Sequence, residues 1–136
     1  MRAKAFADTN VLLNLLSDDE RKAQTAEALL QHGPTISVQV LNEIVSVATR
    51  KLGMPVDEVA EFCYVLRRLC HIEPITTDHH DMALSLLRRY GFSMYDALIV
   101  ATALIADCKC LYTEDLQHNQ IVMRQLRIVN PFQALP

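Results

Sequence analysis

The chain has 136 residues, of which 51% are hydrophobic and 21% are charged, as is typical of a globular protein. This length suits one hydrophobic core, and we expect a single domain over residues 1–136. The net charge of −3 argues against a protein whose whole surface binds nucleic acid. It leaves room for a local basic rim, and the candidates are Arg50, Lys51, Arg67, Arg68, Arg88, Arg89, Arg124 and Arg127.

Asp8 comes too early in the chain for the N-terminus to be the apolar core of a signal peptide. No apolar run approaches the ~18–20 residues that span a bilayer. We therefore expect a cytoplasmic protein without a membrane segment. The four cysteines include no Cys-x-x-Cys pair, so the sequence does not indicate a structural zinc site.

Apolar spacing predicts short strands that alternate with helices. In the first half of the chain we expect a strand over 4–7, a helix over 10–16, a helix capped by Asp18 or Asp19 that runs to Leu30, a strand at 35–36, and a helix capped by Ser37 that runs to about Lys51. In the second half we expect a helix over about 56–69, a strand over 72–75, a helix capped by Thr77 that runs to about Tyr90, a helix over 94–106 capped by Ser93, and strands over 109–113 and 127–130. The strands are short and apolar, which favours burial on both faces. The sequence therefore predicts an α/β fold, a short parallel sheet between helix layers.

Four acidic residues fall where such a fold would bring them together. Ligands of open parallel sheets bind beyond the carboxyl ends of the strands, and both Asp8 and Asp115 follow predicted strands. Asp96 lies in the first turn of its helix. Glu43 lies further into its helix, but helical side chains lean toward the N-terminus and a long one can reach back.

Clustered carboxylates repel one another and are stable only with a cation or with some of them protonated. Hard oxygen ligands favour Mg²⁺ or Mn²⁺ over zinc. Each acid also has an ordinary structural interpretation: Asp8 as a helix cap, Asp96 as part of a capping box with Ser93, Glu43 as an exposed helix residue, and Asp115 as a charge at a helix N-terminus. Physical reasoning alone leaves both interpretations open.

The segments around these acids resemble those of PIN-domain ribonucleases, especially the VapC-type toxins of bacterial toxin–antitoxin pairs. The matching stretches are FADTNVLL at 6–13, SVQVLNE at 37–43, FSMYDALIVATA at 92–103, LYTEDLQH at 111–118 and VNPF at 129–132. They occur in the same order over essentially the whole chain. One such motif is weak support for a relationship, whereas several in order are strong support.

The resemblance implies a single PIN-like domain, an α/β/α sandwich, that acts as a metal-dependent endoribonuclease. It implies that Asp8, Glu43, Asp96 and Asp115 are the catalytic and metal-binding acids, with Mg²⁺ or Mn²⁺ as the cofactor. It also implies RNA as the substrate, a cognate antitoxin as a partner that blocks the site, and a homodimer. Asn10 and Thr113 would be supporting polar residues.

The sequence departs from the usual pattern at two positions. Tyr95 stands where Trp is frequent, and Asn119 stands where Gly is frequent, although Asn tolerates left-handed backbone better than most residues. Glu114 lies beside Asp115, and neighbours along a strand point oppositely, so we expect only Asp115 to face the metal. These departures bear on loop shape and substrate choice.

Three other functions fit parts of the sequence. An aspartate-nucleophile phosphatase needs a second acid two residues after the first, where this chain has Asn10. A receiver-type phosphorylation domain needs a Lys after its last strand, whereas Lys109 opens its strand. A non-catalytic domain that binds RNA or protein stays open as an alternative.

The helices near 20–31 and 56–69 carry more apolar residues than one buried stripe requires. They suggest a groove for an amphipathic antitoxin segment. The apolar residues concerned are Leu29, Leu30, Phe62, Tyr64 and Leu66.

Overall fold

A six-stranded sheet runs through the centre of the protein in the computed structural model, which describes residues 4–133. The strands are β1 (Ala5–Ala7), β2 (Thr35–Ser37), β3 (His71–Glu73), β4 (Cys110–Tyr112), β5 (Ile121–Val122) and β6 (Leu126–Val129). Their spatial order is β3-β2-β1-β4-β6-β5. All neighbouring strands pair in parallel except β5 and β6, which are antiparallel.

Six α-helices flank this sheet within residues 4–133. They are α1 (Thr9–Leu13), α2 (Glu20–Leu30), α3 (Val38–Arg50), α4 (Val56–Leu69), α5 (Thr77–Tyr90) and α6 (Met94–Ile105). In that part of the chain, no helix is both long enough and apolar enough to cross a membrane.

The core lies where the central strands meet α6. Phe6 of β1, Ile36 of β2, Leu111 of β4 and Ile128 of β6 are all fully buried. Because β1 and β4 pair in parallel, with Ala7 opposite Tyr112, the residues that follow them emerge at the same edge of the sheet. Burial of the strands thus fixes the position of the polar residues at their ends.

The predicted α/β fold with a parallel sheet flanked by helices is confirmed, except that β5 pairs with β6 in the antiparallel direction. The structure also shows the expected capping residues: Asp19 begins α2, Ser37 begins α3 and Ser93 begins α6, and each accepts a hydrogen bond from a backbone N–H in the first turn. Asn119 has a positive φ of 70°, which Asn tolerates well.

The predicted helix over 10–16 is wrong in its second half, where residues Asn14–Leu16 form a 3₁₀ turn. The Asn14 side chain donates to the carbonyl oxygen of Asn10 at 2.8 Å, the acceptor that an α-helix would use for the Asn14 backbone. The backbone N–H of Asn14 instead bonds to Val11 and Leu12. The helix therefore tightens before it ends.

Two other boundaries differ from the prediction. The cap of α5 is Thr76 and not Thr77, because Thr76 and His79 form a capping box. Strand β3 begins and ends earlier than expected, at His71 and Glu73, and Pro74 follows it without an N–H to extend the ladder.

The antiparallel strand β5 was missed in the sequence. It has only two residues, which is too short to show a period of alternation. The turn that joins it to β6 contains positive φ angles at Met123 and Arg124, residue types that give no turn signal.

Candidate active site

Asp8 lies directly after β1 and is almost completely buried, with 4% of its surface exposed. One carboxylate oxygen accepts a hydrogen bond from the Thr9 backbone N–H at 2.7 Å, so Asp8 also caps α1. The other accepts from the Thr113 hydroxyl at 2.9 Å. Both oxygens are thereby fixed in orientation by neighbouring donors.

Thr113, fully buried just after β4, joins the ends of the two central strands. Its hydroxyl donates to Asp8 and accepts from the Asn10 side-chain amide at 3.3 Å and from the Asp115 backbone N–H at 3.1 Å. The side-chain amide oxygen of Asn10, Oδ1, in turn accepts from the Glu114 backbone N–H at 3.1 Å. The two predicted supporting residues thus form one network with Asp8.

Glu43 reaches the same region from α3. One of its carboxylate oxygens accepts from the Thr9 hydroxyl at 2.7 Å, and the other accepts from the Gln39 side-chain amide at 2.7 Å. Gln39 lies one turn earlier in α3, so the Glu43 side chain leans toward the N-terminus of its helix. Thr9 therefore links Asp8, through its backbone, with Glu43, through its side chain.

Asp96 and Asp115 complete the acidic group. Asp96 lies in the first turn of α6, where its backbone N–H donates to the Ser93 hydroxyl at 3.3 Å. Asp115 is exposed in the loop after β4. Glu114 is turned elsewhere, within 3.4 Å of the Asn14 amide and 3.6 Å of the Lys22 ammonium group.

These four acids line a single cleft of about 350 Å³. The cleft is formed by Asp8, Thr9, Asn10, Leu13, Glu43, Val47, Lys51, Tyr95, Asp96, Ile99 and Asp115. The structure therefore brings together the four acids singled out in the sequence, with Asn10 in the wall and Thr113 buried behind Asp8. Glu114 is not part of this surface.

The acids influence one another electrostatically. The pKa of Asp8 is raised from 3.8 to about 7, mainly by burial and to a smaller extent by the charges of Glu43 and Asp115, against the lowering effect of its hydrogen bonds from Thr113 and Thr9. Burial also raises the pKa of Asp96, with smaller contributions from Asp115 and Glu43. A positive charge in the cleft would relieve this repulsion.

The donor chemistry of the cleft fits a hard divalent cation, because the acids offer only carboxylate oxygens. Within residues 4–133, however, no group of three or more Asp, Glu, His or Cys side chains is already placed to hold a metal ion. Asp8 and Glu43 instead direct their oxygens at nearby donors. Small side-chain movements would have to accompany cation binding.

Two residues of the site, Thr9 and Gln39, escaped the sequence analysis, whereas Lys51 was already a candidate for a local basic rim. Thr9 and Gln39 hold the Glu43 carboxylate. Lys51, at the end of α3, lines the acidic cleft, and it is the one basic residue that does so in the described part of the chain. The spacing of Gln39 and Glu43, four apart in a helix, is the signal that could have indicated their contact.

The apolar groove expected between the second and fourth helices is not formed as predicted. Leu30 and Leu66 belong to the core, with 9% and 0% of their surface exposed. Leu29 and Phe62 are half-buried, and only Tyr64 is largely exposed. These residues mostly serve packing, because α4 lies mainly on α3 while α2 lies mainly on the 3₁₀ turn.

The sequence model of the PIN domain family matches residues 5–122 of this chain. The match covers most of the chain, so the protein belongs to the PIN domain family. The resemblance noted in the sequence is thereby confirmed. No curated protein matches the chain significantly.

Solved structures of similar fold include a toxin–antitoxin complex, a toxin and a DNA-bound VapBC. A toxin–antitoxin complex from Klebsiella pneumoniae has 22% identity and a TM-score of 0.73, covering 96% of this chain and 100% of that one. Mycobacterium tuberculosis VapC20, a toxin that cleaves the sarcin-ricin loop, has 23% identity and a TM-score of 0.66, with 82% and 90% covered. The DNA-bound VapBC of Salmonella typhimurium has 17% identity and a TM-score of 0.69, with 93% and 97% covered.

The raised pKa of Asp8 predicts a pH-dependent stability in the absence of metal. The folded protein keeps the Asp8 proton up to about pH 7, whereas the unfolded chain releases it near 3.8, so this group destabilises the fold increasingly as pH rises through that range. We expect Asp8→Asn to remove this effect, which is worth at most about 4 kcal/mol. Thermal unfolding in EDTA should therefore show a gain in Tm that is larger at pH 8 than at pH 5.

Asp18→Asn is the matched control, because Asp18 is exposed on the surface. We expect its Tm to follow that of the wild type across the same range. A gain for Asp8→Asn that is equal at both pH values would contradict the assigned burial of this charge.

Proposed function

We propose that this protein is a metal-dependent endoribonuclease that uses Mg²⁺ or Mn²⁺ to cleave phosphodiester bonds in RNA. The proposal is supported by one observation above all: Asp8, Glu43, Asp96 and Asp115, from four separate segments of a PIN domain, line the same cleft. Burial, with a smaller effect of the neighbouring acids, raises the pKa of Asp8 and Asp96, and a cation in the cleft would offset the cost of ionising them.

In this proposal Asp8, Glu43, Asp96 and Asp115 hold the cation and orient its water shell. Thr113, Asn10 and Thr9 fix the carboxylates of Asp8 and Glu43 before substrate arrives. When bound, the ion supplies a positive charge that stabilises the negative charge developing on the phosphate. The buried wall of the cleft limits the water around Asp8 and strengthens these interactions.

Lys51 is proposed to contact a phosphate of the RNA next to the one that is cut. It is exposed at the rim of the cleft, and no hydrogen bond or ion pair engages its side chain within the described residues. A polyanion that approaches an acidic cleft is repelled, and a nearby cationic side chain offsets part of that repulsion.

We further propose that the ribonuclease is the toxin of a toxin–antitoxin pair and forms a homodimer. The similar structure from Klebsiella pneumoniae is described as a toxin–antitoxin complex, and Mycobacterium tuberculosis VapC20 is described as a toxin. An antitoxin that blocks the cleft would complement its negative charge with an Arg side chain.

The ribonuclease proposal predicts cleavage of a single-stranded RNA in Mn²⁺ or Mg²⁺ and none in EDTA. We expect Asp8→Asn and Asp96→Asn each to lower the rate about 100-fold or more, because each removes a cation-holding charge. The measurement is a gel assay with 5′-labelled RNA at matched protein concentrations.

Asp18→Asn and Asp57→Asn serve as controls, since both residues are exposed and lie outside the cleft. Cleavage that survives both active-site substitutions would exclude the proposed site. RNA binding without cleavage in any divalent metal would favour the non-catalytic alternative.

The role of Lys51 predicts a change in the salt dependence of RNA binding. We expect Lys51→Ala to weaken binding and to lower the slope of log Kd against log salt concentration by about 1, because one phosphate contact is lost. Fluorescence anisotropy of labelled RNA gives the slope. Lys109→Ala, an exposed lysine outside the cleft, should leave it unchanged; equal slopes for both variants would rule out the contact.

The partner proposal predicts a stable complex with the small protein encoded beside this gene and a dimeric mass for the free protein. Light scattering after size-exclusion chromatography measures both. We expect the partner to suppress RNA cleavage when it is added in equimolar amount. A monomeric mass would contradict the homodimer, and the absence of any complex would contradict the antitoxin.

A further inference from the structure

A second cavity, of about 650 Å³, lies beside the acidic cleft. It is lined by Val38, Gln39, Asn42, Glu43, Ser46, Ile75, Tyr95 and Leu98. Glu43 and Tyr95 border both cavities, so the two form one continuous surface across α3 and the start of α6. A ligand held by the acids can therefore extend directly into the second cavity.

The second cavity combines an apolar floor with polar groups at its rim. Val38 is 41% exposed, and Tyr95, at 71%, has the highest exposed fraction among the large hydrophobic side chains of residues 4–133. The side chains of Asn42 and Ser46 are exposed, and no hydrogen bond to them is formed within the described residues. Stability of the domain alone gives no reason for an aromatic ring in this position.

Resting on the proposed ribonuclease function, we infer that this cavity binds one unpaired nucleobase of the RNA, adjacent to the scissile phosphate and stacked on Tyr95. Unstacked bases of single-stranded RNA are commonly held on exposed aromatic rings. The acids fix the phosphate, and the shared wall of the two cavities places the neighbouring base on the ring.

The polar rim favours a base over an apolar side chain of a protein partner. The edges of a base carry both hydrogen-bond donors and acceptors, which the Asn42 amide and the Ser46 hydroxyl can match. An apolar protein anchor would instead cover these groups and leave them without partners, which costs free energy. The negative charge of a nucleotide lies on its phosphate. The phosphates would therefore lie near Lys51 and the cation, and only the neutral base would enter the cavity.

The test measures binding separately from cleavage. Anisotropy of a labelled single-stranded RNA is followed in the Asp8→Asn background, where the RNA is not cut. We expect Tyr95→Ala to weaken binding about 10-fold or more and Tyr95→Phe to leave it nearly unchanged, because Phe keeps the stacking face. Tyr64→Ala is the matched control, since Tyr64 is 59% exposed and lies outside both cavities.

A scan of the RNA identifies the base itself. Each nucleotide of the RNA is replaced in turn by an abasic one. The resulting loss of RNA affinity is compared between the Asp8→Asn protein and the same protein with Tyr95→Ala. We expect one position, next to the cut, where the abasic substitution weakens binding to the Tyr95 protein but not to the Tyr95→Ala protein. Such non-additivity is the signature of a direct contact.

The outcomes separate this inference from the proposed function. If the wild type cleaves RNA but Tyr95→Ala binds and cuts it equally well, the base site is wrong and the ribonuclease stands. If the wild type neither binds nor cleaves RNA in any divalent metal, both are wrong. A third outcome is that Tyr95→Ala changes the oligomeric mass or the affinity for a protein partner, while every abasic substitution weakens RNA binding equally in both proteins. In that case the cavity is a protein interface and the inference is overturned.

Discussion

The hydrogen bond from the Thr113 hydroxyl to the buried Asp8 carboxylate ties together the ends of the two central strands. Around it, Asn10 and the Asp115 backbone donate to the same hydroxyl, and Thr9 donates to Asp8 from the other side. The parallel pairing of β1 and β4 makes this contact possible. The sheet therefore positions Asp8 and Thr113 directly, and placing a site on a regular element favours precise positioning.

The buried position of Asp8 makes its ionised carboxylate energetically unfavourable. Burial and neighbouring acids raise the pKa of Asp8 to about 7, so near neutral pH the domain carries an electrostatic cost at its centre. Hydrogen bonds from Thr113 and Thr9 to the Asp8 carboxylate limit that cost without removing it. Binding sites often trade stability for function in this way, and a cation would convert the repulsion into attraction.

Much of the fold followed from the sequence, because buried strands and capping residues leave local signals. The strand-end argument located Asp8 and Asp115 without reference to any family, whereas Glu43 depended more on resemblance. Contacts made across elements, such as Thr9 with Glu43, have no local signal and required the structure. The two-residue strand β5 was missed because pairing with β6, and not its own composition, defines it.

The two edges of the sheet have a further consequence. On one side β5 offers only two residues, followed by a turn with positive φ at Met123 and Arg124. On the other, the short strand β3 carries His71 and Glu73, whose side chains lie 3.0 Å apart. Short, charged or sharply turned edges discourage the addition of a strand from another molecule. Both edges of the sheet therefore disfavour the pairing of one copy of the domain with the next through their strands.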